Sequence, residues 1–371
     1  MKKNIWKLII IAFVAIIIVI FIGRQKINNI SINNEPIKIG SISILTGDGA
    51  SWGEAAVNGI EMAIGEINAT GGILERKLVH ISEDDAGDPA KAVSAFRKLT
   101  TINRVDYIVG PTWSKQGLAI MDLVNDEIII SPSLGKAEFN ESSDYVFNTW
   151  MHDYILSEEL AHYVYEKGYR NIAILGANDV WVKEQTNAVR ETFTELGGTI
   201  SYVYEPTTDI RDLRTALLKM KNKNIDAIVV TTDGYGITAL YGKQMAELGI
   251  EKSVYAITLD ETVIGNCMGT CDGWEYVTAL TPSDEFIKRY KNKYNRNVEI
   301  GADTAYDAVM MIAEAMEKTK STDTEKIQKY LNNIEIYRGQ SGNLVSDGKG
   351  AFTKDYKTFT IEGGKSVEIL K

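Results

Sequence analysis

The chain has 371 residues, a length that suits two or three globular units. At 44% hydrophobic and 24% charged it has the balance of an ordinary folded protein, which excludes a disordered chain. Its formal charge of −10 argues against a general nucleic-acid binder. Three histidines and two cysteines are too few for a His/Cys metal cluster or a cysteine-rich scaffold.

The chain opens with an address. Lys2, Lys3 and Lys7 precede an apolar run of 15 residues, 8–22, the pattern of an export signal. A spanning helix wants about 20 residues. No small-x-small cleavage site follows the run, and no cysteine lies nearby to be lipidated. We therefore expect an uncleaved signal/anchor over 1–23, with a cleaved signal peptide as the alternative. Residues 24–36 are polar and Asn-rich and read as a tether. Either form places the body outside the cytoplasm, in the periplasm or at the cell surface. Disulfides persist there. Cys267 and Cys271 lie four apart, and no second Cys/His pair exists to complete a metal site around them. A disulfide is expected.

The body alternates strands and helices. An Ile-rich strand at 37–45 leads through a Gly-rich turn into a helix whose Ala56, Ile60, Ala63, Ile64 and Ile67 share one face. Gly71-Gly72 ends that helix. A strand at 77–82 follows, and then Asp88-Pro89 opens a second helix as cap and first residue. Short apolar runs at 107–109 and 128–131 suit buried parallel strands, with a helix from Ser114 between them. A second round starts near His152, with helices at 156–166, 182–196, 213–221 and 237–248. Strands at 171–175, 199–204, 227–231 and 253–257 alternate with them. Helices at 285–294 and 302–318 come next, and 339–371 has strand and turn character. The expected class is α/β: two similar lobes, each a parallel sheet covered by helices, hinged with a ligand cleft between them.

Several motifs tempt and fail. Gly49-Ala50-Ser51-Trp52-Gly53 matches G-x-S-x-G, but Thr46–Ala50 separate the serine from the strand, and His80, His152 and His162 all lie in the first half of the chain. Gly47, Gly49 and Gly53 do not keep dinucleotide-turn spacing. Glu83-Asp84-Asp85 with Asp88 lacks the spacing of a calcium loop. We expect no enzyme, metal or cofactor. Trp52, Trp113, Trp150 and Trp181 all fall where strands exit or the chain changes lobe.

Together, IKIGSISILTG (37–47), SWGEAAVNGIEMAIGEINATGGILERKL (51–78), EDDAGDPAKAV (83–93), YIVGP (107–111) and IIISPS (128–133) resemble the type I periplasmic binding fold, specifically the leucine/isoleucine/valine-binding-protein-like solute receptors of ABC importers. The likeness continues through RNIAILGANDVW (170–181) and NIDAIVVTT (224–232). The resemblance implies lobe 1 at 37–150 plus 281–337 and lobe 2 at 151–280 plus 338–371. It implies closure on a small solute, an amino acid or similar amine or amide, and delivery to an ABC permease; a receptor signalling to a membrane partner is the alternative use of the fold. Ser114, beside Trp113, matches the position that holds a ligand carboxylate. Ser133, Leu134 and Gly135 match the second contact segment. Trp52 and Trp181 match aromatic contacts, Asp233 or Tyr235 a further one, and Asp260 the acidic anchor for an ammonium, with Glu261 as fallback. Two positions depart from the pattern: Gly135 stands for a threonine, and Asn148 for an arginine.

Overall fold

The computed structural model describes residues 35–47, 49–231, 236–279 and 282–370. The expected signal/anchor, nearly all of the tether, and Asp233 and Tyr235 lie outside the described residues. No described helix is long and apolar enough to cross a membrane.

Five parallel strands form the first sheet: β1 (Ile37–Ser43), β2 (Leu78–Asp84), β3 (Tyr107–Val109), β4 (Ile128–Ser131) and β5 (Val146–Asn148), in the order β2-β1-β3-β4-β5. β3 and β4 are wholly buried, as apolar runs covered on both faces must be. Asp88 caps helix Pro89–Arg97, accepting from Lys91 N at 3.0 Å, with proline in the first turn as the sequence suggests. The second sheet takes β6 (Asn171–Leu175), β7 (Thr199–Tyr204), β8 (Ala227–Val230), β9 (Ser253–Ile257) and β10 (Glu275–Ala279) as parallel strands. β14 (Tyr356–Glu362) and β15 (Lys365–Glu368) extend it antiparallel, giving β15-β14-β10-β9-β8-β6-β7. The second sheet is therefore mixed. A small antiparallel sheet joins β11 (Ile336–Gly339), β12 (Gly342–Ser346) and β13 (Phe352–Thr353).

One finding corrects the sequence boundary at 338. Leu344 and Phe352 are buried in the first sheet's core with Phe147, Val309 and Ile312. The small sheet thus stays with the first lobe, and the last crossing falls between Thr353 and Tyr356. The apolar side of the β11–β13 hairpins faces helices Ala302–Thr319 and Thr324–Asn332, and burying that side decides where the segment packs.

Helices Ala50–Ala69 and Ala302–Thr319 cover one face of the first sheet and approach each other at Gly59, where an added Cβ would lie 2.0 Å from the Ala302 carbonyl oxygen. Gly59→Ala is therefore expected to force the helices apart and cost about 1–3 kcal/mol. Gly65→Ala, in the same helix with only the Lys293 tip at 3.8 Å, is expected to stabilise by about 0.5–1 kcal/mol. Urea unfolding of both variants checks the contrast; equal effects would remove the close approach as the constraint.

Candidate functional site

Loops leaving the carboxyl ends of parallel strands in both sheets close around a cavity of about 250 Å³. That is where open α/β sheets hold ligands.

Three tryptophans wall it. Trp52 sits in the first turns of helix Ala50–Ala69. Its ring meets Trp113 edge-on at 6.1 Å and 78°, and Trp181 at 6.0 Å and 83°. Edge-to-face contact sets the positive rim of one ring against the negative face of the next. Trp52 belongs to the first lobe and Trp181 to the second, so the aromatic wall is continuous only where the lobes meet.

Each of two indoles from this wall is tied to a carboxylate, one buried and one half-buried. Trp52 Nε1 donates to Asp260 Oδ2 at 2.8 Å, across the lobes. Trp181 Nε1 donates to Asp153 Oδ2, and Trp150 Nε1 donates to Asp153 Oδ1 at 3.3 Å. Asp153 opens helix Asp153–Glu166 immediately after the first crossing and is completely buried. Burial pushes its carboxyl up to about 7, against the pull of the two indole donors. Burial also raises Asp260 above the usual carboxylate range, opposed by hydrogen bonds from Val263 and Trp52.

The sequence-matched residues divide here. Trp52, Trp113, Ser114, Ser133 and Trp181 all line the cavity. Asp260 does not. It caps helix Glu261–Asn266, accepting from Val263 N at 2.8 Å, and its other oxygen is taken by Trp52. The cap reading of Asp260 thus accounts for its geometry, with one oxygen on Val263 N and the other on Trp52 Nε1. Leu134 turns away into the core beside Phe139. Gly135 is also absent from the lining, and the reason is steric: a Cβ there would lie 1.6 Å from Asp153 Oδ2. The space a larger side chain needs is filled by the carboxylate that holds Trp181. Asn148 is also structural: its amide donates to the Leu134 carbonyl, and its oxygen accepts from Trp150 N at 3.0 Å.

Other lining residues escaped the sequence reading. Asp179 caps helix Val180–Glu195 and pairs with Lys115 of the first lobe. Arg211 and Asp209 enter from the loop after β7. The Asn-Asp before Val180 carries a capping signal, but nothing local marks the loop at 208–211. Beyond the cavity, Lys136 pairs with Glu184 at 3.5 Å and Thr262 Oγ1 donates to Glu299 at 2.8 Å, also between lobes. Cys267 and Cys271 are bonded and close a short loop away from the cavity.

Asp153 yields a pH signature. The folded chain holds this proton up to about pH 7, whereas an unfolded chain releases it near 3.8. The folded state therefore binds more protons between these values, and stability falls as pH rises through that window, by at most about 1.4 kcal/mol per unit. Asp153→Asn is expected to remove this component and to loosen Trp181, because an amide oxygen replaces only one of the two acceptors. Denaturation at pH 4.5 and 7.5 checks it. The same pH slope in wild type and variant would refute the assignment.

The sequence model of the periplasmic binding protein family matches residues 36–365. The leucine-specific-binding protein of Salmonella typhimurium is 27% identical over 198 residues, 52% of this chain and 53% of that protein, so the match spans about half the length of this relative. The Leu/Ile/Val-binding protein BraC3 of Rhizobium johnstonii is 29% identical over 362 residues, 89% of this chain and 93% of that protein. Among solved structures, the branched-chain amino acid transporter substrate-binding protein LivJ of Streptococcus pneumoniae, in complex with isoleucine, superposes with a TM-score of 0.80 at 26% identity. That alignment covers 90% of this chain and 100% of that one. These relatives are binding proteins and not enzymes. By sequence and fold together, the chain belongs to the periplasmic binding protein family, in its type I, Leu/Ile/Val-binding-protein-like class.

Proposed function

We propose that this protein is the extracytoplasmic solute-binding component of an ABC importer, held at the membrane by its N-terminal apolar segment. It closes its lobes over a small carboxylate-bearing solute with an apolar or flat body, an amino acid or an aromatic acid. The observation that carries this reading is the cavity walled by Trp52, Trp113 and Trp181 from both lobes. Such a wall is completed by closure and offers rings to an apolar body. Ser114 and Ser133 supply hydroxyls at the cavity. The first-turn N–H groups of helix Ser114–Ile120 have no partner within the helix and suit an anionic end. Arg211 stands at the rim beside Asp209, and Lys115 is paired there with Asp179.

The carboxylate matters more than the amine in this reading. Asp260 is engaged elsewhere, and Asp179 is already paired with Lys115 and with the Trp181 backbone. Closing the lobes sequesters the solute, and the closed form is what a membrane permease would read. The sensing alternative gains nothing from relatives named as binding or transport proteins.

The test is a thermal-shift screen with L-isoleucine, L-phenylalanine, benzoate and phenethylamine. A ligand at 100 times its Kd adds about 2.7 kcal/mol of stability. The acids are expected to stabilise the protein and phenethylamine, which lacks a carboxylate, is not; the opposite order would overturn the carboxylate reading. Trp181→Ala is expected to weaken the bound solute by about 1–3 kcal/mol in calorimetry. Unchanged affinity there would remove the aromatic wall as the binding surface.

A further inference from the structure

One side of the contact between the lobes is a seam of carboxylates. Helix Glu261–Asn266 of the second lobe, with its cap Asp260, meets Trp52, Asn297 and Glu299 of the first. Three hydrogen bonds cross there, and each ends on an acid. Trp52 Nε1 donates to Asp260 Oδ2 at 2.8 Å, Thr262 Oγ1 donates to Glu299 Oε1 at 2.8 Å, and Asn297 Nδ2 donates to Glu261 Oε2. Two acids come from one lobe and the third from the other, so the three are gathered only while the lobes are closed.

Glu299 is the least compensated of them. Its Oε2 is shut off from solvent and, among the described residues, has no hydrogen-bond partner. The side chain lines two spaces: a hinge cavity of about 250 Å³, shared with Asp260 and Glu261, and an outer groove of about 600 Å³. The cations nearby are engaged or solvated. Lys354 stands with Asp303 at 3.7 Å, and Arg296 pairs with Glu54 of helix Ala50–Ala69. Lys291, on helix Asp284–Tyr294, lines both spaces but is exposed, where water and salt screen its charge. Tyr290 of the same helix is raised above 10 by burial and stays neutral. No histidine lines either space. Like charges gathered out of water favour the protonated form. Burial first, then the Asp260 charge, push the Glu299 carboxyl up to about 7, with Glu261 adding to this and the Thr262 bond opposing it. Asp260 is raised too, by burial first, with Glu261 adding to it.

We propose that closing the lobes takes up a proton at this seam, with Glu299 as its main holder, so that solute binding and proton binding reinforce each other. The proposal rests on the reading that the lobes close over a solute. Opening returns Glu299 to water and carries Asp260 and Glu261 away from it, and its carboxyl falls toward the ordinary 4.5. Between that value and about 7 the closed form holds more protons than the open form. Closure therefore weakens as pH rises through this window, by up to about tenfold per unit for one proton. The outer groove is the proton's path to solvent.

Small-angle X-ray scattering of the solute-free, full-length protein at pH 5.5 and 7.5 reads the linkage without a ligand. Wild type is expected to be more compact at pH 5.5. Glu299→Gln, which keeps an acceptor for Thr262 but carries no charge, is expected to be equally compact at both. Thr262→Val removes the donor that favours the charged form, and it is expected to move the midpoint of the pH response upward. Glu325→Gln, which breaks an exposed ion pair with Lys329 on helix Thr324–Asn332, is expected to respond as wild type does. Calorimetry with L-isoleucine at pH 6.5, in phosphate and in bis-tris, is expected to show net proton uptake in wild type and less in Glu299→Gln. The affinity of wild type is expected to fall at least about threefold between pH 5.5 and 7.5. A wild-type radius of gyration that is the same at both pH values, a Glu299→Gln protein that keeps the wild-type response, or a Thr262→Val midpoint that stays or falls would each overturn the proposal. Failure of the solute reading shows up separately, as none of the screened acids binding, and the scattering still decides the linkage.

Discussion

A carboxylate removed from water must find donors or a cation, or else keep its proton. That requirement organises the centre of this molecule. Asp153 is buried and Asp260 half-buried where the lobes meet, and neither has a cation beside it. Tryptophan indoles serve instead: Trp181 and Trp150 on Asp153, Trp52 on Asp260. Because an indole N–H lies in the ring plane, each bond also fixes the orientation of a ring. The polar edges are turned to protein, and the rings are left to build the cavity wall. Rigidity and apolarity of the wall thus come from the same interactions.

Gly135 and Asn148 serve one arrangement in this light. Gly135 removes a side chain so that Asp153 can stand where it does. Asn148 ties the Leu134 carbonyl to the backbone of Trp150, which brings the Trp150 indole to the same carboxylate. A hydroxyl at position 135 would have to displace the acceptor that holds Trp181.

Among the described residues, directional contacts join the lobes. Lys115–Asp179, Lys136–Glu184, Trp52–Asp260 and Thr262–Glu299 all bridge them. Such contacts are polar and local, unlike the four apolar clusters that flank the two main sheets. Opening the cleft breaks a handful of hydrogen bonds and ring contacts while the cores stay intact. This is the energetic separation a hinged binding protein needs.

Much of the architecture was legible in the chain itself. Buried parallel strands announce themselves as apolar runs such as Tyr107–Val109 and Ile128–Ser131, and the Asp88-Pro89 cap is a local event. The aromatic positions at strand exits were visible for the same reason, since period and turn chemistry act over a few residues. What separates Asp260 in a helix cap from Asp260 on a ligand is not local: it depends on Trp52, which lies 208 residues away. The same holds for Asp153 filling the space beside Gly135, and for β12 and β13 choosing the first core over the second. Sequence determined the strands, the helices and the kinds of side chain at their ends. Only tertiary packing decided which buried charges met which donors, because that pairing follows from distance in space and from the cost of leaving a charge unsatisfied.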